Sequence, residues 1–422
     1  MANEQDQSND FSRRKFIGAT AALTGVAVAG GVIGIGLDRR NADAKSVGVS
    51  ELSGKKVPYF GKHQSGISND APASAITCSF NLITTGKESL RSVLQILSAE
   101  IEMLTQGNEI HENDRKYPPK DNLVNGQLPD VDELTITIGL GSTIFDDRFG
   151  LKSKKPIELI EMPNFPNDRL DQKKVHGDMM IQICAQHAET CLRALRIIMR
   201  KTRDSLVLKW LEEGFVQPNT EKPGKTSTRN LLGFKDGTAN LNTKDNKKMD
   251  EIVWVDENTK EPSWAMGGSY MVVRTIRNFV EHWDRTSLDE QENIFGREKT
   301  HGAPLGSKNE DDEPVFHKNP HEGQILNDAH IRLANPRTEE TKKNHILRRG
   351  FNYSRGFDDA GHLDQGLLFI CFQKSLNDGF LTIQNRLNGE PLEEYIQPVG
   401  GGFFFALPGI KEGEFLGQKL FD

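Results

Sequence analysis

The 422-residue chain contains few cysteines, few aromatic residues and no excess of positive charge. Its four cysteines cannot build a disulfide framework in a chain of this length, and none has the close spacing of a zinc site. With 53 basic and 60 acidic side chains the net charge is −7, which excludes a broad basic surface for nucleic acid as the main function. The mixed charges and 36% hydrophobic residues are typical of a folded chain with a large core. At about 150 residues per domain, the length predicts two or three domains.

Long apolar runs are scarce as well, and the one clear example lies near the N-terminus. Residues 12–17 read SRRKFI, residues 17–37 are apolar and rich in Gly and Ala, and residues 42–44 read ADA. Paired arginines before a weakly hydrophobic stretch with a small-residue cleavage site are typical of a twin-arginine export signal. The alternative is an uncleaved membrane anchor, since about 20 apolar residues can span a bilayer. We predict that residues 1–44 are a signal peptide and that the mature protein acts in the periplasm or another extracytoplasmic space.

Strand and helix patterns alternate in the first half of the remaining chain. Hydrophobic residues at every second position predict a half-buried strand at 76–82. Helical spacing predicts a helix from Leu90 to Leu104, with a capping box at 85–88 and Gly107 as its end. The other elements of this half are a strand, a strand, a helix and a strand, predicted at 134–140, 178–186, 187–203 and 205–216. This β-α-β-β-α-β order is that of a ferredoxin-like module.

The same order is predicted again after a polar stretch at 218–230 that contains Pro and Gly. Its strands and helices are predicted at 269–278, 279–293, 346–353, 366–374, 378–388 and 402–407. We therefore predict an α+β fold of two tandem ferredoxin-like modules with two antiparallel sheets, in domains spanning 45–217 and 218–422. The segment 294–345 is long, charged and interrupted by Pro and Gly, which is typical of a functional or disordered connection.

Three short motifs stand out in the second half. They read GFKDGTAN at 233–240, NDAHIR followed by NPR at 327–337, and ILRRG at 346–350. A glycine-flanked Asp, followed downstream by His and then Arg, is a specific combination. Two further motifs read GKHQSGI at 61–67 and LLFI at 367–370.

With these motifs the chain resembles the dye-decolourising peroxidases over essentially all of residues 45–422. The resemblance is strongest to the exported deferrochelatase/peroxidase branch that is linked to iron uptake, and the predicted export signal agrees with it. It implies one b-type haem per chain, held mainly by the C-terminal domain. Since the twin-arginine pathway carries folded proteins, a cofactor inserted before export fits the same interpretation.

The resemblance implies that His330 is the proximal ligand of the haem iron. Imidazole suits iron, and a five-coordinate haem leaves its other face open to peroxide. The residues alone do not single out His330 among 11 histidines, because a given histidine is more often a surface or core residue. A ligating histidine usually donates its second N–H to a carboxylate or carbonyl, and Glu339 and Glu340 are nearby in sequence.

Asp236 and Arg348 correspond to the distal acid and the distal arginine of the family. A carboxylate can move the proton that peroxide loses from one oxygen and gains on the other, and an ordinary Asp pKa of about 3.9 predicts better turnover at acidic pH. An isolated Asp-Gly pair is more often only a turn. A fixed guanidinium can stabilise the charge that develops as the O–O bond breaks. Arg349 is the competing candidate, because adjacent side chains on a strand point to opposite faces.

Further haem contacts are implied on both sides of these residues. Asp236 is followed by three small residues, Gly237, Thr238 and Ala239. Small residues let the backbone approach a porphyrin closely. The segment after the ligand resembles the haem-contacting segment of the family, at Asn335, Pro336 and Arg337. Arg337 can pair with a propionate, whereas the alternative for this segment is a solvated turn.

The implied function is a haem b-dependent peroxidase that uses hydrogen peroxide to oxidise a reducing substrate. Within the branch it resembles, a second implied activity is the release of iron from haem with the porphyrin left intact. The alternative is a non-enzymatic exported haem carrier, which needs neither a distal acid nor a distal arginine. The resemblance also implies an iron permease and an exported iron-binding protein as partners, and a homodimer.

Overall fold

The computed structural model describes residues 55–107, 115–126, 131–217, 219–222, 225–317 and 324–422. The predicted signal peptide at 1–44 lies outside the described residues, so export stays a prediction. Within the described ranges no helix is both long and apolar enough to cross a membrane. All four cysteines are buried and free, in agreement with the absence of a disulfide framework.

The N-terminal half forms four antiparallel strands with two helices. Its elements in chain order are β1 Ser74–Leu82, α1 Lys87–Gln106, β2 Thr135–Gly141, β3 Met179–Ala185, α2 Ala188–Thr202 and β4 Leu206–Phe215. The strands lie side by side in the order β4-β1-β3-β2, and every neighbouring pair is antiparallel. This half is the ferredoxin-like module that the sequence predicts.

The C-terminal half repeats this plan with more interruptions. Its elements in chain order are β5 Asn219–Lys222, β6 Lys225–Arg229, β7 Lys235–Asp236, α3 Asn246–Ile252, β8 Ser269–Asn278, α4 Val280–Trp283, α5 Leu288–Phe295, α6 His330–Ala334, β9 Leu347–Arg348, β10 Phe351–Phe357, β11 Leu363–Gln373, α7 Thr382–Leu387 and β12 Ile396–Ala406. Strands β12-β8-β11-β10 lie side by side, so the four main strands occupy the same relative places as in the first module. Strands β5, β6 and β7 form a separate small sheet in and just after the predicted polar stretch.

The two modules share a single sheet instead of the two sheets that the sequence predicts. Strand β2 pairs with β12, and β10 pairs with both β4 and β11, so the strands close on themselves. The α+β fold of two ferredoxin-like modules with antiparallel strands is confirmed. The number of sheets was wrong because pairing between the edge strands of different modules leaves no mark in local periodicity.

Most central strands are buried on both faces, including positions with polar side chains. Every residue of β2 and β3 is buried. One face of each sheet half packs against helices, while the other faces of the two modules pack against each other. Thr77 and Ser79 of β1 are 0% exposed, and the Ser79 Oγ donates to His176 O. The prediction of a half-buried strand was therefore wrong, because the polar face of β1 is covered as well.

Helix α1 follows its predicted spacing, but its start differs from the prediction. Its apolar residues Leu90, Leu94 and Leu97 are 0% exposed, and Gly107 ends the helix in the left-handed conformation with a φ of 69°. The N-cap is Gly86, which has a φ of 93° and makes no side-chain cap bond. The capping box at 85–88 was wrong, because the chain enters the helix through a backbone conformation that favours glycine.

The GKHQSGI segment at 61–67 lies between the modules and ties them together. The Gln64 Nε2 donates to Ile138 O at 2.8 Å and to Leu407 O at 2.7 Å, so one amide links β2 to the chain after β12. Gly66 has a φ of 88°, and a Cβ there would lie 2.4 Å from the Thr137 Oγ1. His63 stacks on Trp254 with ring centroids 3.8 Å apart. This motif therefore has a structural role.

Candidate functional site

A deep cavity opens on the helix side of the C-terminal module. Three strands of the sheet line it, with Ile276 on β8, Leu367 and Phe369 on β11, and Ile396 and Pro398 on β12. Helices α6 and α7 contribute apolar side chains to its walls, including Ile331, Ile383 and Leu387. The cavity exists because α6 and α7 have only five and six residues and do not cover the sheet as α1 and α2 do.

His330 begins α6 and lines this cavity. The His330 Nδ1 lies 2.7 Å from the Glu390 Oε2, and Glu390 is 6% exposed. About 30% of the His330 side-chain surface is accessible, because the ring borders the cavity. Burial alone would lower the pKa of His330, but the charge and the hydrogen bond of Glu390 outweigh burial and hold the pKa above its usual 6.5. The carboxylate therefore fixes the Nδ1 side of the ring and leaves Nε2 for another partner.

The partner of His330 is not one of the two acids that are near it in sequence. Glu339 and Glu340 begin a short helical turn, Glu339–Asn344, and both are exposed. Glu390 lies 60 residues after His330 and directly before the turn Pro391–Glu394. No sequence signal singles it out, because its position depends on how the chain returns past α6.

Asp236 and Arg348 meet at another part of the cavity wall. The Arg348 Nη1 donates to the Asp236 Oδ1 at 2.8 Å. Asp236 ends the two-residue strand β7, and Arg348 ends β9. Asn240 holds the Arg348 backbone, since its side chain donates to Arg348 O at 2.7 Å and accepts from Arg348 N at 2.9 Å. The last residue of the GFKDGTAN motif therefore positions the arginine, a role that the sequence interpretation missed.

Arg348 and Arg349 point in different directions, although β9 ends at Arg348 and Arg349 lies just outside it. Arg348 lines the cavity, with about 32% of its side chain accessible. Arg349 is 5% exposed and donates to the backbone carbonyls of Asn69 and Asp70. Of the two candidates, only Arg348 can reach a molecule bound in the cavity.

Most of the other predicted haem contacts also lie on the cavity. Thr238, Ala239, Asn335 and Arg337 line it, whereas Gly237 and Pro336 are not among its lining residues. Gly237 has a φ of 106°, so the backbone conformation accounts for glycine at this position. Arg337 forms an ion pair with Glu313 at the cavity wall.

One buried ion pair on the cavity has no counterpart in the sequence interpretation. The Arg274 Nη2 lies 2.5 Å from the Asp168 Oδ1, and the two side chains are 1% and 0% exposed. Both residues line the cavity, and the Arg274 Nε has no hydrogen-bond partner in the described part of the chain. Arg274 lies on an apolar strand, and its partner belongs to the other module. Only the contact between the modules brings the two residues together.

The side chains around the cavity suit an iron porphyrin. His330 presents an imidazole nitrogen whose tautomer is set by Glu390, which is the usual arrangement for a metal-ligating histidine. Apolar side chains of β8, β11, α6 and α7 can cover the flat ring, and Arg337 is a cation at the wall that can meet a carboxylate. Fold and site together are those of a haem-binding protein built on paired ferredoxin-like modules.

Comparison with known families gives the same class and a specific family. The chain matches the models described as "Dyp-type peroxidase, N-terminal" over residues 64–216 and "Dyp-type peroxidase, C-terminal" over residues 227–411. The chain therefore belongs to the DyP-type peroxidase family, whose prosthetic group is haem b.

Similar proteins cover almost the whole chain. A deferrochelatase of Yersinia pestis bv. Antiqua (strain Nepal516) is 44% identical over 420 residues, which are 99% of this chain and 96% of that protein. A deferrochelatase of Escherichia coli (strain K12) is 42% identical over 420 residues, which are 99% of this chain and 98% of that protein. The crystal structure of a DyP-type peroxidase from Cellulomonas bogoriensis is 32% identical, with a TM-score of 0.79 and coverage of 88% of this chain and 99% of that one. A DyP-type peroxidase from Streptomyces coelicolor is 31% identical, with a TM-score of 0.80 and coverage of 89% and 100%.

Proposed function

We propose that this protein is a haem b-dependent peroxidase that uses hydrogen peroxide to oxidise a reducing substrate and takes part in acquiring iron from haem. The observation that carries the peroxidase proposal is the Asp236–Arg348 pair on the same cavity as the Glu390-bound imidazole of His330. A carrier would need the imidazole and the apolar walls but not the acid–guanidinium pair.

The histidine side of the cavity accounts for binding. His330 would hold the iron through Nε2, with Glu390 accepting the proton on Nδ1 and keeping the ring in one orientation. When bound, haem supplies the iron centre at which peroxide is reduced by two electrons. Arg337 would meet a carboxylate at the edge of the ring.

Asp236 and Arg348 account for the handling of peroxide. Arg348 engages the Asp236 Oδ1, while the Asp236 Oδ2 makes no hydrogen bond to any described residue. Oδ2 is thus the oxygen that can take a proton from peroxide and return it to the departing oxygen. The Arg348 guanidinium can hold a peroxide anion beside the carboxylate.

The peroxidase proposal is tested on the purified haem-loaded protein with hydrogen peroxide and a bulky dye. We expect one haem per chain and peroxide-dependent bleaching that is lost when peroxide is omitted. Haem binding without any peroxide-dependent turnover of the dye would instead identify a carrier.

We extend the proposal to iron release, on the basis of the relatives named deferrochelatase. Here haem is the substrate: two protons from solvent replace the iron ion on the pyrrole nitrogens, and the products are protoporphyrin and free iron. Anaerobic incubation with haem should yield metal-free protoporphyrin and an equal amount of chelatable iron. Ring-opened pigment as the only product would contradict this activity.

We also propose that the protein is exported by the twin-arginine pathway and acts outside the cytoplasm. The support is the sequence of residues 12–44, with paired Arg13 and Arg14 before an apolar stretch. Replacing both arginines by lysine should retain the protein in the cytoplasm, as measured by fractionation. The proposed partners are an iron permease and an exported iron-binding protein, which co-purification can test. We also propose a homodimer, which light scattering of the mature protein can test.

A further inference from the structure

The long connection at 294–345 places a buried carboxylate next to the strand that carries Asp236. Glu310 is 5% exposed. The Glu310 Oε2 accepts from the Lys235 Nζ at 2.9 Å, and its Oε1 accepts from the Thr238 Oγ1 at 3.2 Å. Lys235 directly precedes Asp236, and Thr238 follows it by two residues. One carboxylate therefore binds the chain on both sides of Asp236.

The local backbone explains how both neighbours reach Glu310 while Asp236 points elsewhere. Adjacent side chains on a strand point to opposite faces, so on β7 Lys235 contacts Glu310 and Asp236 contacts Arg348. Gly237 has a φ of 106°, and the turn that it makes returns Thr238 to the side of Glu310. Glu310 thus closes a ring of contacts across the turn that presents Asp236.

Glu310 is itself held in place by the segment that precedes it. The Arg297 Nη1 donates to Gly302 O at 2.7 Å and to Glu310 O at 3.2 Å. Burial is the main cause that lowers the pKa of Arg297 to about 10, so it remains a cation at neutral pH. A Cβ on Gly302 would lie 2.9 Å from the Lys235 Cδ, which shows how closely the segment packs on the lysine stem. The connection is therefore an ordered support at this point.

We propose that Glu310 is a positioning residue for Asp236. It holds Lys235 and Thr238, and through them it sets the place of the Asp236 carboxylate relative to Arg348 and the cavity. This inference rests on the proposed function, in which Asp236 moves the peroxide proton. Glu310 itself does not line the cavity, so we expect it to act through the turn that carries Asp236.

The test is a cycle of the variants Glu310→Ala, Asp236→Asn and the two combined, each loaded with haem. Stopped-flow absorption measures the rate of the reaction with hydrogen peroxide. We expect Glu310→Ala to be slower by about tenfold to a hundredfold, the effect of a small misplacement of a catalytic group. Since Glu310 acts through Asp236, the combined variant should be no slower than Asp236→Asn alone. Independent, multiplied effects would overturn the proposal.

A second measurement does not depend on turnover. Fluoride binding to the ferric protein, followed by absorption, reports on the groups that surround an anion beside Asp236 and Arg348. Glu310→Ala should change the fluoride Kd several-fold while the haem content and the unligated spectrum stay the same. An unchanged fluoride Kd would overturn the proposal.

Two further variants separate positioning from loss of fold. Thr238→Val removes the hydrogen bond from Thr238 to Glu310 but keeps the ion pair between Glu310 and Lys235. It should shift the fluoride Kd in the same direction as Glu310→Ala, by a smaller factor. Glu212→Ala is the matched control, because Glu212 is 1% exposed and lies 2.6 Å from Arg355 at a site away from the cavity. It should leave both the fluoride Kd and the peroxide rate unchanged.

The outcomes also separate this inference from the proposed function. If Asp236→Asn reacts with peroxide at the normal rate, the role of Asp236 fails and the positioning role fails with it. If Asp236→Asn is slow while Glu310→Ala and Thr238→Val behave as the unaltered protein, only the positioning role fails.

Discussion

The two modules place their four main strands in the same order but treat the helix side of the sheet differently. In the N-terminal module, α1 and α2 have 20 and 15 residues, and their apolar faces close the core. In the C-terminal module, no described α-helix exceeds eight residues, although a kinked π-helical turn, Asn377–Leu381, leads directly into α7. The cavity occupies part of the corresponding face. Long amphipathic helices stabilise a sheet by covering it, whereas short helices leave room for a ligand.

The same contrast holds for two histidines at the starts of helices. The His187 Nδ1 lies 2.8 Å from Asp132 at the start of α2, and the His330 Nδ1 lies 2.7 Å from Glu390 at the start of α6. Only His330 lines the cavity. A histidine held by a carboxylate is thus a local structural feature in one module and a candidate metal ligand in the other.

The largest expected effect is the loss of haem binding in His330→Ala. Removing the iron ligand itself should weaken haem affinity strongly. The loss should exceed the roughly tenfold to hundredfold that follows when a residue hydrogen-bonded to a ligand is substituted. Titration of the apo-protein with haem, followed at the Soret band, measures it. His187→Ala is the matched control and should bind haem normally. Equal affinity in the two variants would break the contrast between the modules.

The next effect concerns two buried or half-buried aspartates. Asp236→Asn and Arg348→Leu should slow the reaction with peroxide by about 10²–10⁴-fold, the usual contribution of a proton-transferring group, without loss of haem. Asp178 of the N-terminal module instead has its bonds filled by Leu82 N, Thr143 and Arg148. Asp178→Asn should therefore react at the normal rate in the stopped-flow measurement. If Asp178→Asn were also slow, a loss of stability would be enough to explain the slower peroxide reaction of Asp236→Asn.

The difference in helix packing predicts that truncating a leucine side chain lowers the free energy of unfolding by different amounts in the two modules. Leu94→Ala in α1 removes a side chain that is 0% exposed and should lower the free energy of unfolding by about 2–5 kcal/mol. Leu387→Ala in α7 enlarges a space that is already open and should cost less than the roughly 2 kcal/mol at the low end of that range. Urea unfolding of the apo-protein measures both. Similar costs would mean that α7 packs as tightly as α1.

The smallest expected effect is the pH dependence of stability at Asp178. Burial acts to raise its pKa, but Arg148, Thr143 and the Leu82 N–H together hold it below the usual 3.8. The ionised form is therefore favoured by folding, and its contribution is present above about pH 4 and lost as the pH falls through the lower folded value. Asp178→Asn should cost about 1–3 kcal/mol near pH 6. The urea midpoints of the two proteins should converge below pH 3.8, and a constant difference would contradict this assignment.

Sequence analysis predicted the main strands and helices because their signals are local. Alternation and helical spacing identified β1, α1, β3 and β8 within a few residues of their bounds. The same signals missed the break between β9 and β10 and the division of one predicted helix into α4 and α5. Helix α5 begins at its own N-cap, Ser287, whose side chain accepts from Glu290 N, and hydrophobic periodicity does not report such a break.

The candidate site shows a similar division. The sequence motifs contain Asp236, His330 and Arg348, and the structure brings all three to one cavity. Their chemical roles stay predictions. The sequence left the partner of His330 open, and the structure shows that it is Glu390, which reaches His330 from 60 residues away. Glu310 is 74 residues from Asp236 in sequence and has no motif around it.

The sequence by itself determined the α+β class, the order of the elements and the residue types available for chemistry, since these follow from contacts between residues close in the chain. Tertiary structure alone decided that the two modules share one closed sheet, that Arg348 and not Arg349 faces the cavity, and which carboxylates support His330 and Asp236. The physical reason is that a buried ion pair or an edge-strand pairing joins residues that are distant in sequence. Such a contact exists only once the whole chain has packed.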